Sequence, residues 1–146
     1  MIINTSKKID ISDKELDKLC KYKLSKNIPD FQEKLKSSLT KFISYTKNNK
    51  KINGVCIIKQ TKYSTEILYL CSNQKGLGTI IIKEVEKFSI KRGRLRINLE
   101  SHPDAVDFYK KKGFKSVSRY APETMTKELI KGKGSVSKIS KVCCTP

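Results

Sequence analysis

Glu66-Ile67-Leu68-Tyr69-Leu70-Cys71-Ser72-Asn73-Gln74-Lys75-Gly76-Leu77-Gly78-Thr79 decides the fold. Its first half is aliphatic and aromatic, as a buried strand requires. Its second half is a polar turn with two glycines, after which Leu77, Ile81, Val85 and Phe88 recur at helical spacing as far as Lys91. A strand that runs through such a turn into a helix leaves unpaired amides at the positive end of the helix dipole. Glycines let an anion approach those amides with no Cβ in the way. Lys75 adds a cation beside them. The pattern describes an anion site, although a Gly-x-Gly alone marks a tight connection equally well. The chain has no G-x-x-x-x-G-K-[ST] and no complete G-x-G-x-x-G followed by an acid, so nucleotide P-loops and dinucleotide folds are set aside.

Toward the N-terminus, Lys41–Lys47, Ile52–Lys59 and Thr65–Cys71 are β-branched and aromatic runs, separated by polar turns around Asn48-Asn49 and Thr61-Lys62. They predict an antiparallel meander. Before them, Ser12-Asp13-Lys14-Glu15 has the spacing of a capping box for a short helix with Leu16, Leu19 and Cys20 on one face. Asn27 to Pro29 breaks that helix. Asp30 with Glu33 then starts a second one carrying Phe31, Leu35 and Leu39. Ile2 and Ile3 begin an edge strand.

Toward the C-terminus, Gly93 stops the long helix and Leu95–Leu99 reads as a strand. Ser101-His102-Pro103-Asp104 offers a hydroxyl cap and a first-turn proline, predicting a helix from Pro103 to Lys112 that Gly113 ends. Lys115–Arg119 and Thr124–Leu129 form a closing hairpin. From Lys131 to Pro146 the apolar content is too low for the segment to order itself. The expected fold is therefore α+β, with a mixed, mostly antiparallel sheet of six to seven strands flanked by about four helices. It forms one domain over residues 1–130 with a basic tail over 131–146.

Length and composition agree. The 146 residues, 37% of them hydrophobic, suffice for one core. Met1 to Asp10 is neither a signal peptide nor an Arg-rich transit sequence, and no apolar run is long enough for a bilayer. The expectation is an intracellular protein, cytoplasmic or nuclear and not secreted, acting as monomer or homodimer. The charge of +18 would draw phosphates at long range, yet only Arg92, Arg94, Arg96 and Arg119 among the 32 basic residues are arginine. Arginine is the preferred donor for bidentate phosphate and base contacts, so its scarcity argues against dedicated nucleic-acid binding. The five cysteines, Cys20, Cys56, Cys71, Cys143 and Cys144, are odd in number and lack C-x-x-C spacing. Neither a disulfide framework nor a zinc site is expected. Cys143 stands four from the end behind several lysines, but Thr145-Pro146 fits lipidation poorly, and membrane attachment is not expected without it.

Two motifs together resemble the GNAT superfamily of acetyl-coenzyme A-dependent N-acetyltransferases. Asn73-Gln74-Lys75-Gly76-Leu77-Gly78 is similar to its coenzyme loop [RQ]-x-x-G-x-[GA], with Asn73 at the first position. His102-Pro103-Asp104-Ala105-Val106-Asp107-Phe108-Tyr109-Lys110-Lys111-Lys112-Gly113-Phe114 is similar to its N-x-x-A-x-x-F-Y-x-x-x-G-F block, with His102 in place of Asn. The resemblance covers residues 1 to 130. It implies acetyl transfer to an unidentified primary amine, such as a protein N-terminus, a lysine or a small amine. It places the coenzyme against Leu70, Cys71, Asn73, Gln74, Lys75, Gly76, Leu77, Gly78, Thr79, His102 and Tyr109, with no metal.

Such a transfer needs a neutral amine, a stabilised carbonyl oxygen and a thiolate able to leave. The resemblance implies Tyr109 as proton donor to the sulfur, Glu66 or a water relay as general base and a backbone amide near Leu70 or Cys71 for the carbonyl. The residues also admit plainer readings. Tyr109 shares a helix face with Ala105 as a core aromatic would, Glu66 can be a solvated strand acid, Asn98 can line the cleft or simply face solvent, and His102 can be a cap. Cys71, without a base nearby in sequence, reads as packing rather than as a nucleophile. Two other functions stay open: a module that binds acyl-coenzyme A without turnover, and electrostatic binding to nucleic acid.

Overall fold

The computed structural model describes residues 2–6, 11–19, 31–47 and 51–129. In chain order they form β1 (Ile2–Ser6), α1 (Asp13–Leu19), α2 (Phe31–Lys36), β2 (Thr40–Tyr45), β3 (Ile52–Gln60), β4 (Ser64–Ser72) and α3 (Leu77–Lys91). There follow β5 (Arg96–Glu100), a 3₁₀ turn (Pro103–Ala105), α4 (Val106–Lys111), β6 (Lys115–Ser118) and β7 (Ala121–Glu128). The strands form one seven-stranded sheet in the order β1-β2-β3-β4-β5-β7-β6. The pairs β1/β2, β2/β3, β5/β7 and β6/β7 are antiparallel. The expected α+β class, strand count and edge position of β1 hold. The expectations for the Asn27–Pro29 break, the Asp30 cap, the Asn48-Asn49 turn, Cys20, the side chain of Leu16 and the 131–146 tail lie outside the described residues.

Two compact units divide the chain. The first comprises Met1–Lys59 and Ile67–Val85, the second Gln60–Glu66 and Glu86–Pro146. In the first unit the meander is built around β3, whose residues Asn53 to Ile58 are all buried. An unbroken buried run is what a strand covered on both faces requires. On one face Ile11, Leu19, Phe31, Leu35, Ile43, Val55 and Ile57 form a core, joined by Leu68, Tyr69 and Cys71. Phe31 is fully buried, contributing roughly 2–3 kcal/mol through burial, and it meets the Tyr69 ring edge-on at 4.8 Å. The Ser12 hydroxyl accepts from the Glu15 amide (3.2 Å) and donates to its carboxylate (3.1 Å), so the α1 cap forms at the expected place. Leu39 lies beyond α2, which ends at Lys36 where the Ser37 hydroxyl donates to the Lys34 carbonyl at 2.7 Å.

The second unit begins at the β3–β4 turn, where Thr61 N–H donates to the Ser64 carbonyl (2.9 Å), and Leu95 N–H donates to the Tyr63 carbonyl (2.7 Å). Its core includes Ile97, Leu99, Tyr109, Phe114, Met125 and Leu129. Buried Thr65 and Ser89 share a hydroxyl hydrogen bond of 2.6 Å. The long helix stops where the sequence indicates: Gly93 has φ +74°, its amide donates to the Ile90 carbonyl (3.0 Å), and the Arg94 amide donates to the Ser89 carbonyl (2.9 Å). That bond pair is a Schellman cap.

Two expectations need correction. The helix predicted from Pro103 to Lys112 is a 3₁₀ turn followed by a six-residue α-helix, and its cap is His102 rather than Ser101. With Pro103 opening the tighter turn, the imidazole Nδ1 reaches the Asp104 amide at 3.2 Å, while the Ser101 hydroxyl donates to the His102 carbonyl at 2.7 Å. The last strand starts at Ala121, three residues before the predicted Thr124, because the hairpin closes tightly at Arg119-Tyr120 and pairing resumes at once.

Candidate functional site

The glycine turn belongs to the first unit. β4 ends at Ser72, Asn73 through Gly76 are exposed, and Leu77 plunges into the core at 1% exposure. Gly76 has φ +83°, and a Cβ placed there would meet nothing within 4 Å. Within the protein, the glycine therefore serves the backbone path and not clearance from a neighbouring side chain. Leu77 N–H donates to the Gln74 carbonyl (3.2 Å) and Ile80 N–H to the Gly76 carbonyl (3.4 Å). The amides of Gly78 and Thr79 are left in the first turn of a 15-residue helix without an acceptor among the described residues. With Lys75 exposed beside them, the turn offers donors and positive charge and no carboxylate of its own.

What holds this turn in place was not legible in the motif. A Cβ on Gly54 would lie 2.8 Å from Leu77 Cδ2 and 2.9 Å from Ile81 Cδ1, so the helix start rests directly on the bare backbone of β3. A glycine inside a strand pattern is the signal that could have revealed this approach. Next to it, Asn53 is 4% exposed. Its carbonyl accepts from the Asn73 amide at 3.0 Å, and its Nδ2 donates to Gln74 Oε1 at 3.1 Å.

Leu70 and Cys71 lie half-buried near the end of β4. Cys71 packs against the core of the first unit, as expected, and it is disulfide-bonded, which corrects the expectation of no disulfide. Residue spacing shows nothing of which cysteines approach in space, and an odd count still permits pairs. A disulfide sulfur is no acyl-accepting thiolate, so covalent transfer through Cys71 drops out. Cys56 is a free thiol, wholly buried in β3, and burial pushes its pKa well above the usual thiol range.

Tyr109 belongs to the second unit, 8% exposed on α4. Its position follows from the glycine four residues later. Gly113 has φ +95°, its amide donates to the Lys110 carbonyl (3.0 Å), and the Phe114 amide donates to the Tyr109 carbonyl (3.1 Å). This second Schellman cap folds Phe114 back, and its ring meets Tyr109 edge-on at 5.5 Å. Phe108 contacts the same ring at 5.1 Å. The F-Y-x-x-x-G-F spacing is thus a device for clamping one phenol. Lys127, unremarked in the sequence, reinforces it: Nζ bonds Glu86 Oε1 (2.5 Å) and the Lys112 carbonyl (2.6 Å). The predicted pairing of Ala105 with Tyr109 on one helical face is broken, since Ala105 ends the 3₁₀ turn.

The remaining candidates also fall in the second unit. Glu66 is half-buried in β4. Asn98 is not a bare solvent-facing residue; its Oδ1 accepts from Thr126 Oγ1 at 2.8 Å across the β5/β7 pair. His102 is exposed and committed to the cap, with Asp104 Oδ2 3.8 Å from Nδ1. Among the described residues no group of three or more His, Cys, Asp or Glu could hold a metal ion.

Comparison with known proteins gives these observations a family. The family model described as "Acetyltransferase (GNAT) domain" matches residues 7–125. No curated protein matches the sequence. Among solved structures, the chain is similar to Tetrahymena GCN5 (TM-score 0.66, 16% identity, 82% of this chain and 87% of that one). It is likewise similar to the PaiA N-acetyltransferase of Thermoplasma acidophilum in complex with coenzyme A (TM-score 0.62, 18% identity, 88% and 99%). A third similar structure is the aminoglycoside 6'-N-acetyltransferase of Enterococcus faecium (TM-score 0.60, 18% identity, 92% and 100%). At these identities the likeness speaks for the fold, and the family model, spanning most of the chain, speaks for descent: the chain belongs to the GNAT acetyltransferase family.

Proposed function

We propose that this protein transfers an acetyl group from acetyl-coenzyme A to a primary amine, directly and without an acyl-enzyme. The observation that carries this reading is the unpaired amide pair of Gly78 and Thr79 at the start of a 15-residue helix, behind a glycine with φ +83°. Those donors fit a diphosphate, whose charge the helix dipole and Lys75 favour. The residues present thus suit the coenzyme.

In this reading the neutral amine attacks the thioester carbonyl, the C–S bond breaks and the new C–N bond forms. The amine's proton passes to Glu66, directly or through water, while the Tyr109 hydroxyl delivers a proton to the departing thiolate, whose proton affinity is close to that of a phenol. A backbone amide of β4 near Leu70 or Cys71 would polarise the carbonyl. The disulfide at Cys71 supports direct transfer, because no thiolate competes there for the acetyl group. Acceptor choice among protein N-termini, lysines and small amines is settled by incubating the full chain with acetyl-coenzyme A and panels of each, following free thiol. Thiol release dependent on one acceptor class is expected. Tight coenzyme binding with no release on any panel would instead make the protein a non-catalytic acyl-coenzyme A module.

A further inference from the structure

We infer that Asn53 is a positioning residue for the coenzyme loop, acting by holding the Gln74 carboxamide so that its NH₂ group faces outward as a donor for the diphosphate. This rests on the coenzyme-binding reading above. Asn53 lies on β3, 21 residues before Gln74, and no motif contains it.

The geometry runs through two bonds to adjacent loop residues. The Asn53 carbonyl receives the Asn73 amide at 3.0 Å, which ties the exit of β4 to β3. The Asn53 Nδ2 donates to Gln74 Oε1 at 3.1 Å, which occupies the acceptor end of that exposed side chain. A carboxamide has one acceptor end and one donor end. With the acceptor end held against β3, the donor end is what the loop presents, alongside the amides of Gly78 and Thr79. An anion site is spoiled by an outward carbonyl, so the orientation matters as much as the residue type.

The arrangement also accounts for a departure in the sequence. The first position of the loop motif, where the family has Arg or Gln, is Asn73, a shorter side chain whose backbone amide is tied to the Asn53 carbonyl. A longer side-chain donor stands one residue later at Gln74, and its bond to the buried Asn53 fixes the orientation of that flexible carboxamide. Asn53 Oδ1 has no partner among the described residues and is itself buried.

The test is a double-mutant cycle on the full chain, with coenzyme A affinity measured by calorimetry for wild type, Asn53→Ala, Gln74→Ala and the double variant. Loss of one net hydrogen bond predicts about a fivefold weaker Kd for Asn53→Ala in the wild-type background. With Gln74 already removed, the same substitution should cost less than about twofold. Equal costs in both backgrounds would overturn the inference while leaving coenzyme binding intact. No wild-type binding would sink the functional reading and this inference with it. Should Asn53→Ala fail to fold, Gln74→Glu decides. It keeps an acceptor for Asn53 but presents a carboxylate outward, and a loss of about tenfold or more is expected. Unchanged affinity in Gln74→Glu would reject the role. In turnover, Asn53→Ala should raise KM for acetyl-coenzyme A and leave kcat unchanged, a split that general loosening of the fold would not produce.

Discussion

The glycine turn and the Tyr109 block solve opposite problems. From Asn73 to Thr79 the proposed working groups are backbone amides, on a path where Asn73 to Gly76 are exposed. From Phe108 to Phe114 the proposed working group is one side chain, nearly buried, held between two rings and behind a helix cap whose Lys112 carbonyl Lys127 binds. Backbone recognition tolerates changes in residue type because every residue carries an amide. Side-chain catalysis does not. This is why the chain can depart from the family pattern at the first loop position yet carries the F-Y-x-x-x-G-F spacing complete.

The sharpest break in that contrast is Tyr109→Phe, which removes one oxygen from the block and nothing from the turn. Loss of a proton donor predicts a fall of about 10²-fold in kcat. Coenzyme affinity by calorimetry should stay as in wild type, and a matching loss of affinity would refute the division of labour. Gly113→Ala comes next. At φ +95°, with Lys127 Cε 3.1 Å from the new Cβ, it should destabilise the fold by about 2 kcal/mol in thermal or urea unfolding. Part of the kcat should go with it, since the cap sets Phe114 against Tyr109.

Gly76→Ala is the counterpart in the turn. Its φ is also positive, but the space around it is open, so only the backbone cost of about 1 kcal/mol applies. Coenzyme binding should weaken about fivefold with kcat unchanged. If Gly76→Ala proved costlier to stability than Gly113→Ala, the reading of one glycine as path and the other as path plus packing would be wrong. The smallest effect belongs to Lys75→Met. An exposed cation near the diphosphate should be worth about twofold in affinity at physiological salt, and the difference should shrink as salt rises. A salt-independent loss would mean that the lysine is held in a fixed contact.

Much of this was legible along the chain. The limits of α3 were read correctly because Leu77 begins an apolar stripe of helical period and Gly93 is the residue that best adopts the left-handed turn ending it. The strands of the meander came from runs of β-branched and aromatic residues. Where the structure departs from the local pattern, two local preferences compete. Ser101 and His102 can both cap, and the tight turn at Pro103 settled the matter for the imidazole. Thr124 opens a clear strand pattern, but Ala121-Pro122-Glu123 does not, and only pairing with β6 extends the strand back over them.

By itself, then, the sequence determined most of the elements, the helix-ending glycines Gly93 and Gly113 and the two motifs, because helix period, strand alternation and cap geometry are written within a few neighbouring residues. The tertiary structure alone decided that Gly54 gives α3 its seat, that Asn53 grips Gln74 from 21 residues away, and that Lys127 bridges Glu86 across 41. It also placed Cys71 in a disulfide. Those contacts join groups whose approach depends on how the whole chain packs, and a hydrogen bond or a disulfide between distant residues leaves no periodic trace in either segment.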